Sequence, residues 1–125
     1  MTKPRILVAD DEPNIVLSLE FLMARAGYTV EVVDNGDDAL ARALAAPPDL
    51  LLLDVMLPRL SGYEVCQRLR ASAQCRDLPI LMLSAKGREA EVAQGLELGA
   101  TSYITKPFAM QDLLTEVRRL LGAPP

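Results

Sequence analysis

The fold is decided by the stretch PDLLLLD at residues 48–54, in which four consecutive leucines end at Asp54. A short, continuously apolar run with polar or turn residues at both ends is typical of a parallel β-strand buried on both faces. Three further runs share the pattern: RILVA at 5–9, PILML at 79–83 and TSYI at 101–104. Because strands buried on both faces must be covered by helices, the sequence predicts an α/β fold.

Helical periodicity is present in the segments between these runs. Apolar residues recur there at spacings of three and four, which predicts an amphipathic helix in each segment. We therefore expect strand and helix to alternate five times. The five apolar groups are Ile15, Leu19, Leu22 and Met23; Ala39, Leu40, Ala43 and Leu44; Val65, Cys66 and Leu69; Val92, Leu96 and Leu98; and Leu113, Leu114, Val117, Leu120 and Leu121.

Length and hydropathy bound the class of protein. The 125 residues suit one domain, which we assign to residues 1–122, with 123–125 as a tail or the start of a linker. No apolar stretch approaches the roughly 18 residues needed to span a bilayer, and the start of the chain has too short an apolar segment for a secretory signal. The sequence therefore predicts a cytoplasmic domain with no membrane contact.

Composition excludes several kinds of chemistry. A net charge of -4 without any basic run argues against direct nucleic-acid binding. The absence of histidine excludes Ser-His-Asp catalysis, imidazole zinc sites and a phosphohistidine donor. Cys66 and Cys75 lack CxxC spacing, so we expect free buried or semi-buried thiols. The remaining reactive groups are carboxylates, hydroxyls, amines and the backbone.

Charged and hydroxyl residues follow four of the predicted strands. Asp10, Asp11, Asp54, Ser84 and Lys106 lie at or just past carboxyl ends, where parallel α/β sheets bind ligands. Two carboxylates about 4 Å apart repel by roughly 4 kcal/mol at an effective dielectric near 20, which one lysine cannot balance for three acids. A divalent cation is the expected partner, and Mg²⁺ suits a site of few carboxylates that also takes phosphate oxygens.

The residue types at this edge favour acceptance of a phosphoryl group. Asp54 is the isolated carboxylate and the best candidate nucleophile, while the ammonium and the hydroxyl would contact the phosphoryl oxygens. Asp10 and Asp11 are better placed as metal ligands, directly or through water, and the backbone carbonyl of Met56 could complete the shell. Each residue also has an ordinary structural interpretation: the Asp10-Asp11 pair could merely cap the first helix.

Five short motifs, in order and at fixed spacing, resemble the receiver domain of bacterial two-component response regulators. Asp54 precedes Ser84 by thirty residues and Lys106 by fifty-two. The motifs are VADDE at 8–12, PDLLLLDVMLP at 48–58, SG at 61–62, LSA at 83–85 and YITKPF at 103–108. The resemblance implies a five-stranded doubly wound parallel sheet of the flavodoxin-like order 2-1-3-4-5, with five helices.

The resemblance also implies roles for single residues. Asp54 would be the phosphoacceptor, with Asp11 as a direct Mg²⁺ ligand, Asp10 as a ligand through water and Met56 as a ligand through its carbonyl. Lys106 would contact the phosphoryl group. The switch residues would be Ser84, whose hydroxyl moves toward the phosphoryl group, and Tyr103, whose ring turns inward, and the Lys106–Pro107 bond would be cis.

The implied function is a signalling switch rather than a turnover enzyme. A histidine kinase, a phosphotransfer protein or a small donor would phosphorylate Asp54 in a Mg²⁺-dependent reaction, and the domain would later dephosphorylate itself. The output surface would comprise residues 89–98, strand five and residues 110–121. It would bind a downstream protein or effector domain, or form a homodimer on phosphorylation.

Three alternatives stay open at this point. A haloacid-dehalogenase-type phosphatase needs a second acid two residues after its nucleophile, where this chain has Met56. A flavodoxin-like electron carrier needs a hydroxyl- and glycine-rich phosphate loop, where this chain has three acids at 10–12 that would repel the phosphate of FMN. A receiver that no longer accepts phosphate would serve as an interaction module.

Overall fold

The computed structural model describes residues 3–85 and 89–122, and in this part of the chain each strand is followed by one helix. The predicted fivefold alternation is confirmed. The tail assigned to residues 123–125 lies outside the described residues. The elements are β1 Arg5–Ala9, α1 Pro13–Arg25, β2 Thr29–Val33, α2 Gly36–Ala45, β3 Leu50–Asp54, α3 Gly62–Arg70, β4 Ile80–Ala85, α4 Glu89–Glu97, β5 Ser102–Lys106 and α5 Met110–Leu121.

The sheet has five parallel strands in the order β2-β1-β3-β4-β5, as the resemblance implied. Strand β3 lies at its centre and all five of its residues are buried. Because side chains alternate along a strand, Leu51 and Leu53 pack in a core with α2 and α3, whereas Leu50 and Leu52 pack in a second core with α1 and α5. The two apolar layers fix the position of the acidic end of β3.

The two edge strands differ from the sequence prediction. Strand β2 was not among the apolar runs, because TVEVV contains a charged residue and is only partly buried. The run TSYI was predicted to be buried on both faces, which is wrong: β5 lies at the other edge and is mostly half-buried, with Tyr103 exposed. An edge strand has a neighbour on one side only, so it needs fewer apolar residues.

Helix α3 begins directly beneath the carboxyl end of β3. The Ser61 hydroxyl accepts a hydrogen bond from the backbone N–H of Glu64, whose carboxylate accepts one from the Ser61 N–H, so the two residues form a capping box. A Cβ atom on Gly62 would overlap the carbonyl oxygen of Asp54. Glycine at this position therefore lets α3 start close to the end of β3.

Both cysteines are free and buried, as predicted. The thiol of Cys66 lies 3.6 Å from the carbonyl oxygen of Leu98, beside the end of α4, and that of Cys75 lies 3.4 Å from the carbonyl oxygen of Ala43 in α2. Burial raises the pKa of both thiols, although the charge of Arg70 opposes the change. Among the described helices, none is long and apolar enough to cross a membrane.

Candidate functional site

The register of the sheet brings two acids and a lysine together at its carboxyl edge. Strands β1 and β3 pair with Ala9 opposite Leu53, so Asp10 and Asp54 follow side by side. Lys106 ends β5, two strands away from Asp54, and its long side chain extends across the end of β4. The topology therefore places a cation beside two acids that are far apart in sequence.

The ammonium of Lys106 contacts three carboxylates. Its Nζ lies 2.8 Å from Oε1 of Glu12, 3.0 Å from Oδ2 of Asp10 and 3.1 Å from Oδ2 of Asp54. Asp10 and Asp54 are 1% and 5% exposed, whereas the side chain of Glu12 is 56% exposed. One positive charge thus faces three negative charges, two of which are shielded from water.

Backbone N–H groups orient the two buried acids. Oδ1 of Asp10 accepts a hydrogen bond from the N–H of Glu12 at 2.9 Å, and Oδ1 of Asp54 accepts one from the N–H of Met56 at 3.2 Å. In both cases the aspartate side chain accepts a hydrogen bond from the backbone N–H two residues further along the chain, which is a local turn geometry that aspartate favours. One oxygen of each carboxylate is bound by the backbone, and the other is directed to Lys106.

The electrostatics of Asp54 are set by burial. Desolvation raises the pKa of this carboxyl most strongly; the charge of Lys106 and the Met56 N–H oppose the rise, and the nearby charge of Asp10 adds to it. The net pKa is raised. Since ionisation is disfavoured in a poorly hydrated position, the charged form of Asp54 has an energetic cost that a bound cation would reduce.

The pKa of Lys106 is also raised, but here the carboxylate partners cause the rise and burial opposes it. Burial alone would lower the pKa of its ammonium. The contacts with Glu12 and Asp10 and the charge of Asp54 outweigh that effect, so the pKa of Lys106 is raised. The residue is therefore a permanent positive charge at neutral pH, fixed next to Asp54.

The acidic oxygens are spaced to bind a metal ion. Carboxylate oxygens of Asp10, Glu12 and Asp54 lie within 4.8 Å of one another. A set of oxygen donors from few carboxylates is the kind that Mg²⁺ binds. Sequence reasoning named Asp10 and Asp54 but missed Glu12, although Glu12 belongs to the VADDE motif and could have been included as the third acid after β1.

Two predicted ligands are not part of this group of oxygens. The side chain of Asp11 is exposed and lies with Asp10 and Asp34 beside a surface pocket of about 180 Å³. Met56 donates its N–H to Asp54, and its side chain is exposed. The ligand roles of Asp11 and of the Met56 carbonyl stay predictions.

The two predicted switch residues lie on neighbouring strands. Ser84 is 1% exposed, and its hydroxyl has no hydrogen-bond partner among residues 3–85 and 89–122. Tyr103 is 45% exposed on β5 and pairs in register with Met82 on β4. The Lys106–Pro107 peptide bond is cis. A buried hydroxyl without an acceptor is costly, so the position of Ser84 favours a ligand that supplies one.

The doubly wound sheet and the lysine-linked acids at its carboxyl edge define an α/β domain of the signalling receiver class. The family model described as response regulator receiver domain matches residues 6–118, and the chain belongs to this family. Receiver domains are the phosphoacceptor switches of two-component regulation and interact with histidine kinases. Family membership excludes the dehalogenase-type and flavodoxin-type alternatives.

Curated relatives are transcriptional regulators. The chain is 47% identical over 117 residues to the alkaline phosphatase synthesis transcriptional regulatory protein PhoP of Bacillus subtilis, covering 94% of this chain and 48% of PhoP. It is 43% identical over 118 residues to the DNA-binding dual master transcriptional regulator RpaA of Synechocystis, covering 94% and 49%. The chain thus spans about half the length of these relatives. Our expectation of no direct nucleic-acid contact concerns the residues of this chain alone.

Solved structures agree over the whole domain. The chemotaxis response regulator CheY4 of Vibrio cholerae superposes with a TM-score of 0.90 at 33% identity, covering 96% of this chain and all of CheY4. The receiver domain of the sensor histidine kinase PA1611 of Pseudomonas aeruginosa gives a TM-score of 0.90 at 30% identity, covering 98% and 100%. The PA1611 structure has a magnesium ion coordinated in its active-site cleft.

Proposed function

We propose that Asp54 accepts a phosphoryl group from a histidine kinase, from a phosphotransfer protein or from a small donor such as acetyl phosphate. The observation that supports this assignment is the buried Asp54 carboxylate at the end of β3, with the Lys106 ammonium 3.1 Å away. A strand end is a rigid support for a nucleophile, and a fixed cation beside it compensates charge on an incoming phosphoryl group.

The proposed transfer is a displacement at phosphorus. One oxygen of the Asp54 carboxylate forms a bond to phosphorus while the bond from phosphorus to the donor nitrogen or oxygen breaks. The electron pair leaves with the donor: an imidazole donor takes up a proton from water, whereas acetyl phosphate releases acetate as the anion. Lys106 compensates the charge of the phosphoryl oxygens during transfer, because its ammonium lies at the nucleophile and stays protonated at neutral pH.

The donor set fits Mg²⁺. Oxygens of Asp10, Glu12 and Asp54 lie close enough to share one cation, and we propose Asp11 as a direct ligand and the Met56 carbonyl as a further one. Bound Mg²⁺ supplies positive charge that balances the carboxylates and the phosphoryl oxygens. The chain's own contribution is to orient these oxygens, through the backbone N–H bonds to Asp10 and Asp54.

The proposed conformational response begins at Ser84. A phosphoryl oxygen on Asp54 would give the Ser84 hydroxyl the acceptor that it lacks among the described residues. Movement of Ser84 would let the exposed ring of Tyr103 turn inward. The surface formed by α4, β5 and α5 would then change, and either a downstream partner or a second copy of the chain would bind there.

The phosphorylated state would end by hydrolysis within the same site. A water molecule attacks phosphorus, the bond between phosphorus and the Asp54 oxygen breaks, and inorganic phosphate leaves. The carboxylate of Asp54 is regenerated in this step. The domain is thus a switch with autodephosphorylation activity toward itself, and it is not an enzyme that turns over an external substrate.

Mass spectrometry after incubation with acetyl phosphate and Mg²⁺ tests the assignment. We expect one added phosphoryl group on the wild type, none on Asp54→Ala, and wild-type labelling on Asp77→Ala, which removes an exposed acid remote from the site. Chelation of Mg²⁺ should abolish the label. A phosphoryl group that persists in Asp54→Ala would overturn the assignment of the phosphoacceptor.

A further inference from the structure

Glu12 makes the shortest contact of the site, yet the transfer proposed above gives it no role of its own beyond sharing a cation. Its Oε1 lies 2.8 Å from the ammonium of Lys106, and its side chain is 56% exposed. The same residue donates its backbone N–H to Asp10. Glu12 therefore combines a fixed backbone with a carboxylate that reaches the central cation from the solvent side.

The contacts of Lys106 commit its ammonium to carboxylates before any phosphoryl group arrives. Its three N–H donors face three carboxylate oxygens, from Glu12, Asp10 and Asp54, within 3.1 Å of Nζ. Two of these contacts are hydrogen bonds, to Glu12 and to Asp54, whereas Oδ2 of Asp10 pairs with the ammonium by charge and has no hydrogen-bond partner among the described residues. An arriving phosphoryl oxygen therefore competes with these carboxylates for the same ammonium.

The contact to Glu12 is the one that breaks at the lowest cost. Asp10 and Asp54 are almost fully buried, so either would be left charged and poorly hydrated if Lys106 withdrew. The carboxylate of Glu12 faces solvent and regains hydration when it loses its partner. Lys106 must also stay near Asp54, because the phosphoryl group arrives there.

We propose that Glu12 is a positioning residue that retains Lys106 at the outer side of the site and gives it up to the incoming phosphoryl group, so that this exchange is part of the barrier to phosphorylation. The inference rests on the proposed function of Asp54. After transfer, Lys106 is bound to the phosphoryl group, and Glu12 no longer contributes. Glu12 should therefore influence the gain of the phosphoryl group more than its loss.

Two other roles for Glu12 make different predictions. If Glu12 were mainly a metal ligand, its removal would weaken Mg²⁺ binding and slow phosphorylation. If it acted only by its charge, repelling anionic donors from the site, its effect would be screened by salt and would not depend on the reach of the side chain. Glutamine at position 12 removes charge, and aspartate keeps charge but shortens the side chain.

The experiment measures phosphorylation of Asp54 by acetyl phosphate, with mass spectrometry as readout and Mg²⁺ saturating for each variant. We expect Glu12→Gln to raise the rate roughly three- to tenfold, the effect of weakening one charge-assisted hydrogen bond. Glu12→Asp should also raise the rate, and both gains should persist in about 0.5 M salt, where charges are screened within a few ångströms. Glu20→Gln, an exposed acid on α1, should behave as wild type.

One further readout separates a positioning role from a general structural one. The autodephosphorylation rate of Glu12→Gln, also measured at saturating Mg²⁺, should change less than its phosphorylation rate, because Lys106 is then bound to the phosphoryl group and no longer to Glu12. A phosphorylation rate at or below wild type, an equal change in both rates, a gain that vanishes in salt, or a wild-type phosphorylation rate in Glu12→Asp would each overturn the proposal. If wild-type protein takes up no phosphoryl group, the proposed function of Asp54 fails first, and this inference fails with it.

Discussion

Asp54 is held in a charged state that the folded protein disfavours. Its pKa is raised because desolvation outweighs the attraction of Lys106. The stabilisation associated with a raised pKa is fully present below the ordinary value of 3.8 and is lost as pH rises through the folded value. At neutral pH and without metal, the ionised Asp54 therefore lowers the free energy of unfolding.

Substituting Asp54 by asparagine should remove that cost. We expect Asp54→Asn to raise the free energy of unfolding at pH 7 in EDTA by on the order of 1 kcal/mol. The gain should shrink as pH is lowered toward 4, because wild-type Asp54 then becomes protonated. Urea unfolding at both pH values measures the difference. Asp77→Asn should stay within about 0.5 kcal/mol of wild type, and a less stable Asp54→Asn would contradict the electrostatic account.

The hydroxyl of Ser84 is the second residue whose position costs stability. Because its oxygen is buried and has no partner among the described residues, Ser84→Ala should raise the free energy of unfolding of the unphosphorylated domain by about 1 kcal/mol. The same substitution should weaken the response to phosphorylation, since it removes the group proposed to move. Chemical denaturation measures the first effect. A clear loss of stability in Ser84→Ala would show that the hydroxyl is already satisfied.

At the scale of elements, the start of α3 depends on its capping box. Ser61→Ala removes the hydroxyl that accepts the Glu64 N–H, and we expect it to lower the free energy of unfolding by about 1 kcal/mol. Ser18→Ala provides a matched control, because Ser18 is exposed within α1 and alanine has the higher helix propensity. Thermal and urea unfolding compare the two. Equal stability of Ser61→Ala and wild type would contradict a stabilising cap.

The three inner strands, β1, β3 and β4, were predicted from sequence because their apolar residues are buried on both faces. Four leucines at 50–53 need apolar cover on both faces, so they identify the central strand without any knowledge of partners. Strand β2 was not predicted, because an edge strand tolerates polar residues and its pairing with β1 depends on contacts distant in sequence. The burial of β5 was overestimated for the same reason.

The site was predictable to the extent that strand ends determine it. Asp10, Asp54 and Lys106 converge because the sheet brings three carboxyl ends to one edge. The contact between Glu12 and Lys106 spans 94 residues and depends on how the chain turns after β1, which no local pattern specifies. The exposed position of Asp11 is set by the same turn.

At the scale of the whole molecule, metal binding and folding are linked. Mg²⁺ should bind only the folded arrangement of Asp10, Glu12 and Asp54, so it should stabilise the domain by about 1.4 kcal/mol at ten times its dissociation constant. EDTA should abolish the gain. Denaturation with and without Mg²⁺ measures it, and Asp10→Asn should reduce the response while Asp77→Asn retains it. An equal response in Asp10→Asn would exclude Asp10 as a contributor to the metal site.

The two buried cysteines can report on local opening of the protein core. Their thiols are shielded and have raised pKa values, so an alkylating reagent can modify them only when the surrounding helices part. Cys66 lies beside the end of α4 and Cys75 beside α2, and their modification rates would therefore sample opening events in two different regions of the molecule. The native chain therefore allows the rates of local opening near α4, which belongs to the proposed output surface, and near α2 to be measured separately and without an added label.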